Sequence, residues 1–426
     1  MKLISPRYHM EIRILILLIP SAITMGFAQN PKLRLDENYK SKIEVSLNQA
    51  IQHTSEAMLD ENGMAKGDYH IITGEWKAYE AAWHTGQAIY GLLEAYQVTG
   101  NQKAHDEAIR AGKWWVGLQF PKGHNLEGYL NAKHGNKLGD LINTTTIADG
   151  TPGLFNLSDI TKDKTYADVA TNAGAWILDH LYIPEERLSY NIVDGKTGEI
   201  WKDRSPHEQH QNLPFNIKHV ARPNAEGYLW KDMYVHTGEE RYKDAFLEIC
   251  DKLIDDQSKN GWWMDFEPND PTTGKVHGRF NTWNAEALIE AYTLTKEQKY
   301  LDAALKTAKA LAKVQDKTGV IWYSSYLNGN HDKRSPCGSA ASFAGILWLQ
   351  LYEFGITDFE ENIKRALNFT LKNQFSKDHK DPNLAGAYYE IRQKAKKDGT
   401  FQLYYRDIAT SFGMRFLSKV YQSAYK

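Results

Sequence analysis

Cysteine is almost missing from this chain. Its 426 residues hold only Cys250 and Cys337. Two cysteines so far apart make neither a disulfide framework nor a cysteine zinc site, and both read as separate buried thiols. A glycine-rich phosphate loop is also missing, which removes the usual cradle for a nucleotide. Neither sign of charge dominates: 51 basic residues stand against 53 acidic, a net charge of -2. Nucleic acid, which calls for a concentrated basic face, is therefore not an expected partner. No histidine pair or carboxylate cluster has convincing metal-ligand spacing, and the stretch Glu267 to Gly274 reads as a polar turn rather than a calcium loop. No metal or cofactor is expected.

The apolar run Ile14 to Phe27 is too short for a stable membrane span, so no membrane partner is expected. Arg13 precedes it and Gly26-Phe27-Ala28 closes it, the pattern of a signal peptide over residues 1–28, with Met10 as an alternative start. No cysteine sits at the cleavage point, which argues against a lipid anchor. Residues 29–426 are then expected to form one exported domain, in the periplasm or outside the cell.

What the chain does have is a recurring unit. Segments beginning at Trp83, Asp149, Asn224, Gly278 and Ser339 each read as an apolar helix, a short turn and a second helix, and a partial copy begins near Asp407. The turns carry Thr99-Gly100, Thr161, Thr237-Gly238, Thr295 and Gly355. Their spacing, roughly 60 to 75 residues, is longer than in the common helical repeats. With an N-terminal helix around Ile43 to Met58, about twelve helices are predicted. Long loops rich in Gly, Pro and Asn separate the hairpins, with strand-like pieces (IWYSSY, FQLYYR) inside them. Loops of that length usually carry function. Polar and aromatic residues recur where the first helix of each hairpin starts. In a closed ring of hairpins those starts converge, so they are read as walls of one cleft.

This array resembles the six-hairpin glycosidase superfamily, an all-α (α/α)6 toroid. Within it, "NTTTIADGTPGLFNLSDITKDKTYADVA" is similar to the segment of unsaturated glucuronyl and rhamnogalacturonyl hydrolases that runs from a catalytic Asp into an apolar helix. Those hydrolases usually carry Asp followed by Met-Asn; here Asn143 stands near that place and Asp149 comes later. The resemblance implies a uronate pocket, and the Asn143 departure points from hydrolysis towards elimination. Toroid polysaccharide lyases and the enzymes of marine flavobacteria that process ulvan oligosaccharides by elimination share this general look.

β-Elimination at a uronate needs a group to neutralise the carboxylate, a base for the C5 proton and an acid for the oxygen leaving C4. Arginine suits the first task through its bidentate fork, and His and Tyr suit the others. The catalytic candidates are His84, Asp149, His219, Glu226 and His277. The candidate substrate contacts are Trp83, Gln87, Asn143, Arg222, Asn224, Arg279, Trp283, Glu286, Tyr405 and Arg406. Each has a plainer reading. Asp149 can cap a helix, Glu226 and Glu286 can complement a helix dipole, the tryptophans can fill a core, and the histidines can be buried and satisfied. Hydrolysis would instead need two carboxyl groups flanking the bond, drawn from Asp149, Glu226, Glu286 and Asp407. A third reading is a glycan binder with no chemistry. The expected partner is an anionic oligosaccharide; the oligomeric state is open.

Overall fold

Threonine closes the first helix of four hairpins in the same way. The hydroxyls of Thr99, Thr161, Thr237 and Thr295 each donate to the carbonyl four residues back, at 2.7–2.8 Å. Each also accepts the N–H two residues on, at 3.1–3.3 Å. The residue between them turns left-handed, whether glycine (Gly100, Gly238) or lysine (Lys162, Lys296). One threonine thus satisfies helix-end groups on both sides of the turn, which is why the repeat is visible in sequence.

The computed structural model describes residues 31–135, 139–203, 214–225, 228–396 and 398–426. Its helices are α1 (Glu37–His53), α2 (Ala81–Thr99), α3 (Gln102–Val116), α4 (Thr144–Gly150), α5 (Pro152–Thr161), α6 (Thr165–His180) and α7 (Leu229–Thr237), then α8 (Glu240–Asp256), α9 (Gly278–Thr295), α10 (Gln298–Val314), α11 (Gly338–Glu353), α12 (Glu360–Lys372) and α13 (Ile408–Tyr425). These thirteen segments among the described residues make up the expected twelve helices, because α4 and α5 are one inner helix divided at Pro152, whose missing N–H breaks the ladder. The N-terminal helix ends at His53 and continues to Met58 as a wider π turn.

Helices α2, α9, α11 and α13 are buried nearly all round, the signature of an inner wall. Helices α3, α8, α10 and α12 bury one apolar stripe and show solvent the other face. The result is an (α/α)6 toroid. The partial copy at the C-terminus is completed by the N-terminus: α1 packs on α13, where Tyr421 donates to Glu44 at 2.7 Å and Tyr425 to the Asp36 carbonyl at 2.8 Å. Inner helices α13 and α2 pack together and close the ring.

An antiparallel sheet stands at one end of the ring, in the order Ile391–Ala395, Phe401–Arg406, Asp68–His70, Glu75–Lys77. The strand-like FQLYYR is its second strand, and the IWYSSY piece supplies the two-residue strands Ile321–Trp322 and Ser325–Tyr326. One sheet face is apolar and packs Tyr69, Ile391 and Tyr405 with Leu384 and Ala387. Alternation sends Arg392, Tyr404 and Arg406 to the other face. No described helix is long and apolar enough to cross a membrane.

Candidate active site

The site begins where two backbones touch. A Cβ on Gly86 would collide with the carbonyl of Gly150, and a Cβ on Gly153 would lie 2.7 Å from the Gly86 carbonyl. Only glycine lets α2 and the α4–α5 helix approach this closely. The contact brings Trp83 against Asp149, and the indole N–H donates to the Asp149 carboxylate. One turn further down, Gln87 Nε2 donates to the Asp149 carbonyl at 2.6 Å.

Ring closure builds the next wall. His84 Nδ1 donates to Asp407, whose other oxygen accepts the Gly67 N–H at 2.9 Å. That tautomer leaves His84 Nε2 as an acceptor, and Arg406 reaches it at 3.4 Å. Arg406 also donates to Asp68 at 2.8 Å and lies 3.9 Å from Glu80. Glu80 precedes α2 in a left-handed conformation, φ 48°, and lies 3.3 Å from His134. Burial alone would raise its carboxyl; His134 and Arg406 outweigh that and hold it well below the usual carboxylate range. Burial pushes the Asp407 carboxyl up, with His84 opposing.

Helix α9 supplies the third wall through Arg279, Trp283 and Glu286, spaced for one helical face. The Arg279 guanidinium lies 5.1 Å from the Trp83 ring and 5.5 Å from the Trp283 ring. It donates to Ser339 at 2.7 Å and lies 3.5 Å from Glu390. Glu390 accepts both the hydroxyl and the N–H of Ser339, so it also neutralises the N-terminus of α11. Below the tryptophans, Arg415 bridges Glu286 at 3.2 Å and Gln87 at 3.0 Å. Burial raises Glu286 to about 7 despite that partner.

The mouth is aromatic and cationic. His277 caps α9: its Nδ1 accepts the Phe280 N–H at 3.3 Å, which places the ring proton on Nε2. That buried Nε2–H has no partner among the described residues. Burial, then the charges of Arg279, Lys275, Arg392 and Arg406, keep the imidazole neutral. His277 meets Tyr323 edge-on at 4.5 Å, and the Arg392 guanidinium covers the Tyr323 ring at 4.7 Å. Arg406 lies 5.4 Å from the Tyr79 ring. Glu80's charge and then burial push the Tyr79 hydroxyl up, against the pull of Arg406 and Arg392. The hydroxyls of Tyr79 and Tyr323 make no hydrogen bond to the described residues, and both side chains are part exposed. The floor is thus buried and polar, and the rim is accessible.

Of the residues singled out in the sequence, Trp83, His84, Gln87, Asp149, Arg279, Trp283, Glu286 and Arg406 form this connected cluster, and His277 stands at its mouth. Asn143 serves α4, accepting the Thr145 N–H at 2.9 Å. Asn224 is buried beside it, accepting from the Thr145 hydroxyl at 3.1 Å. Arg222 donates to the Glu267 carbonyl at 2.7 Å and covers Phe280. His219 belongs to a short capped turn on Asn216, and its neighbour Lys218 ties that turn to Asp256 of outer helix α8. Tyr405 does not join the cluster; it points to the apolar sheet face, with its hydroxyl bonded to Thr410 and His53. Glu226 lies outside the described residues. Sequence reasoning missed Tyr79, Glu80, Tyr323, Glu390, Arg392 and Arg415. Only Arg415 left a signal, a lone charge in the apolar run of α13.

Among the described residues no three His, Cys, Asp or Glu side chains converge as metal ligands would. No protein-family model and no curated protein matches the chain. Solved structures do. Cellobiose 2-epimerase from Bacillus thermoamylovorans aligns with a TM-score of 0.67 at 13% identity, over 90% of this chain and 99% of that one. An unsaturated glucuronyl hydrolase specific for heparin aligns at 0.64 and 15%, over 90% and 98%. A D-mannose isomerase aligns at 0.64 and 14%, over 91% and 99%. At such identities the likeness shows the shared toroid.

Proposed function

We propose that the protein is an exported carbohydrate-processing enzyme that acts on uronate-bearing oligosaccharides of the ulvan type by elimination. One observation carries this reading. Each carboxylate around the mouth is committed: Glu80 to His134 and Arg406, Asp68 to Arg406, Asp407 to His84, and Glu390 to Arg279 and Ser339. What is left uncommitted is the Arg392 guanidinium, the phenols of Tyr79 and Tyr323 and, buried behind them, the His277 Nε2–H. That set fits proton transfer beside an anion better than a pair of working carboxyls. The sugar-active neighbours, an epimerase, an isomerase and a glucuronyl hydrolase, support a sugar substrate.

The step balances without a co-reactant. A base removes the C5 proton while guanidiniums stabilise charge on the carboxylate. The electron pair forms the C4–C5 double bond as the C4–O bond breaks. The departing oxygen takes a proton and leaves as water or as a sugar hydroxyl. Tyr79 and Tyr323 carry free hydroxyls for these transfers, and neutral His277 can donate from Nε2. His84 and Asp407 hold Arg406 in place.

Hydrolysis is the second reading. It is favoured by Asp149 in the cluster and by Glu286, whose raised pKa would suit a general acid. Absorbance near about 232 nm, where a C4–C5 unsaturated uronate absorbs, separates the two when combined with mass spectrometry of products. A rise with loss of water means dehydration, and a rise with cleavage means a lyase. Cleavage with water added and no absorbance means hydrolysis and sinks the elimination reading. Binding without turnover across a broad panel would leave a glycan-binding toroid.

A further inference from the structure

Three guanidiniums surround the mouth, and they are not equivalent. Arg279 lies between Trp83 and Trp283, bonded to Ser339 and beside Glu390. Arg406 is bonded to Asp68 and His84, with Glu80 beyond. Both already have their anions. Arg392 has none: among the described residues it makes no ion pair and no side-chain hydrogen bond. It is nonetheless half-buried, on the strand Ile391–Ala395, on the sheet face it shares with Tyr404 and Arg406. Its guanidinium lies over the Tyr323 ring, 4.7 Å from the centroid. A cation–π contact of this kind uses none of the N–H donors of the guanidinium fork.

A half-buried cation beside Arg406, on which Asp68 acts only through space, keeps its donors available for an anion from outside. We propose that Arg392 is the anchor for the substrate carboxylate and sets the preference for uronates over neutral sugars. The assignment rests on the uronate reading above. Arg279 and Arg406 then shape the pocket and its field, and Arg392 makes the bidentate contact. Tyr323, beneath that guanidinium, becomes the phenol nearest the anchored group. A carboxylate also fits a planar fork better than a hydroxyl does.

The test is calorimetric binding of a glucuronate-terminated oligosaccharide and of its methyl ester to wild type, R392Q and R392K, with thermal melts as a folding control. The expected result is a wild type that prefers the free acid. R392Q should weaken acid binding on the order of 10- to 100-fold, leave ester binding unchanged and keep the wild-type melting temperature. R392K, with the charge but no fork, should recover part of the preference. An equal loss on acid and ester means a structural role and overturns the proposal. So does an R392Q protein that still prefers the acid. A wild type indifferent to esterification sinks the uronate reading itself, and the anchor with it.

Discussion

His84 and Asp407 meet across 323 positions of sequence, and one carboxylate serves both the imidazole Nδ1–H and the backbone N–H of Gly67. An amide has one acceptor oxygen and cannot serve two donors in this way. Asp407→Asn should therefore leave one buried donor unpaired and cost about 1–3 kcal/mol. It should also free the His84 tautomer and loosen Arg406, so turnover should fall further than stability accounts for. Chemical denaturation and steady-state kinetics on the same protein check this. Unchanged turnover would mean that the pair does not position Arg406.

Tyr405 and Arg406 are neighbours with opposite duties. Tyr405→Phe removes two hydroxyl contacts in the apolar layer and should cost about 1 kcal/mol with kinetics intact. Arg406→Gln should abolish most turnover, since it strips the site of a guanidinium and leaves Asp68 without its partner. Equal kinetic effects from both would contradict the facing of this strand.

Gly86→Ala tests the helix contact beneath Trp83. The added methyl meets the Gly150 carbonyl, and backbone cannot swing aside as a side chain can. A loss of about 1–3 kcal/mol or more is expected in a melt, with reduced activity as Trp83 and Asp149 part. A silent substitution would show that the helices can separate without cost.

Glu286 gives a pH signature. Its carboxyl sits at about 7 in the folded protein, raised by burial from 4.5. The folded state therefore keeps a proton that the unfolded chain releases between those values. This contribution to stability is complete below pH 4.5 and is lost as the pH rises through about 7. It amounts to about 3 kcal/mol. Wild type should lose that much relative to Glu286→Gln between about pH 4.5 and pH 8 in urea melts. A pH-independent difference would rule it out.

Much of this was legible before folding. The threonine turns repeat because one chemical solution closes four helices, so the hairpins could be read from spacing, and the resemblance to six-hairpin enzymes implied the ring. The converging helix starts were legible too: Trp83 and His84 stand in the first turn of α2 and Arg279 in the first turn of α9. What was hidden depends on facing. Tyr405 and Arg406 both belong to the strand-like FQLYYR, and which of the two neighbours faces the site is set by packing, not by the sequence. Asn143 has the polarity of a ligand and works as a cap. Arg392, Tyr323 and Glu80 come from loops and a sheet with no periodicity to mark them. Arg392 is recognisable only by what it lacks, a counter-ion, which is a property of three dimensions.

The pairing of Asp68–His70 with Tyr404–Arg406 has a consequence for biosynthesis. In a growing chain, His84 precedes its partner Asp407 by 323 positions. Until then His84 lacks its acceptor, Gly67 its cap and α1 its companion α13. The pocket therefore cannot assemble before Asp407 has been made, and a product truncated ahead of the strand Phe401–Arg406 lacks both that strand and the helix α13 that closes the ring.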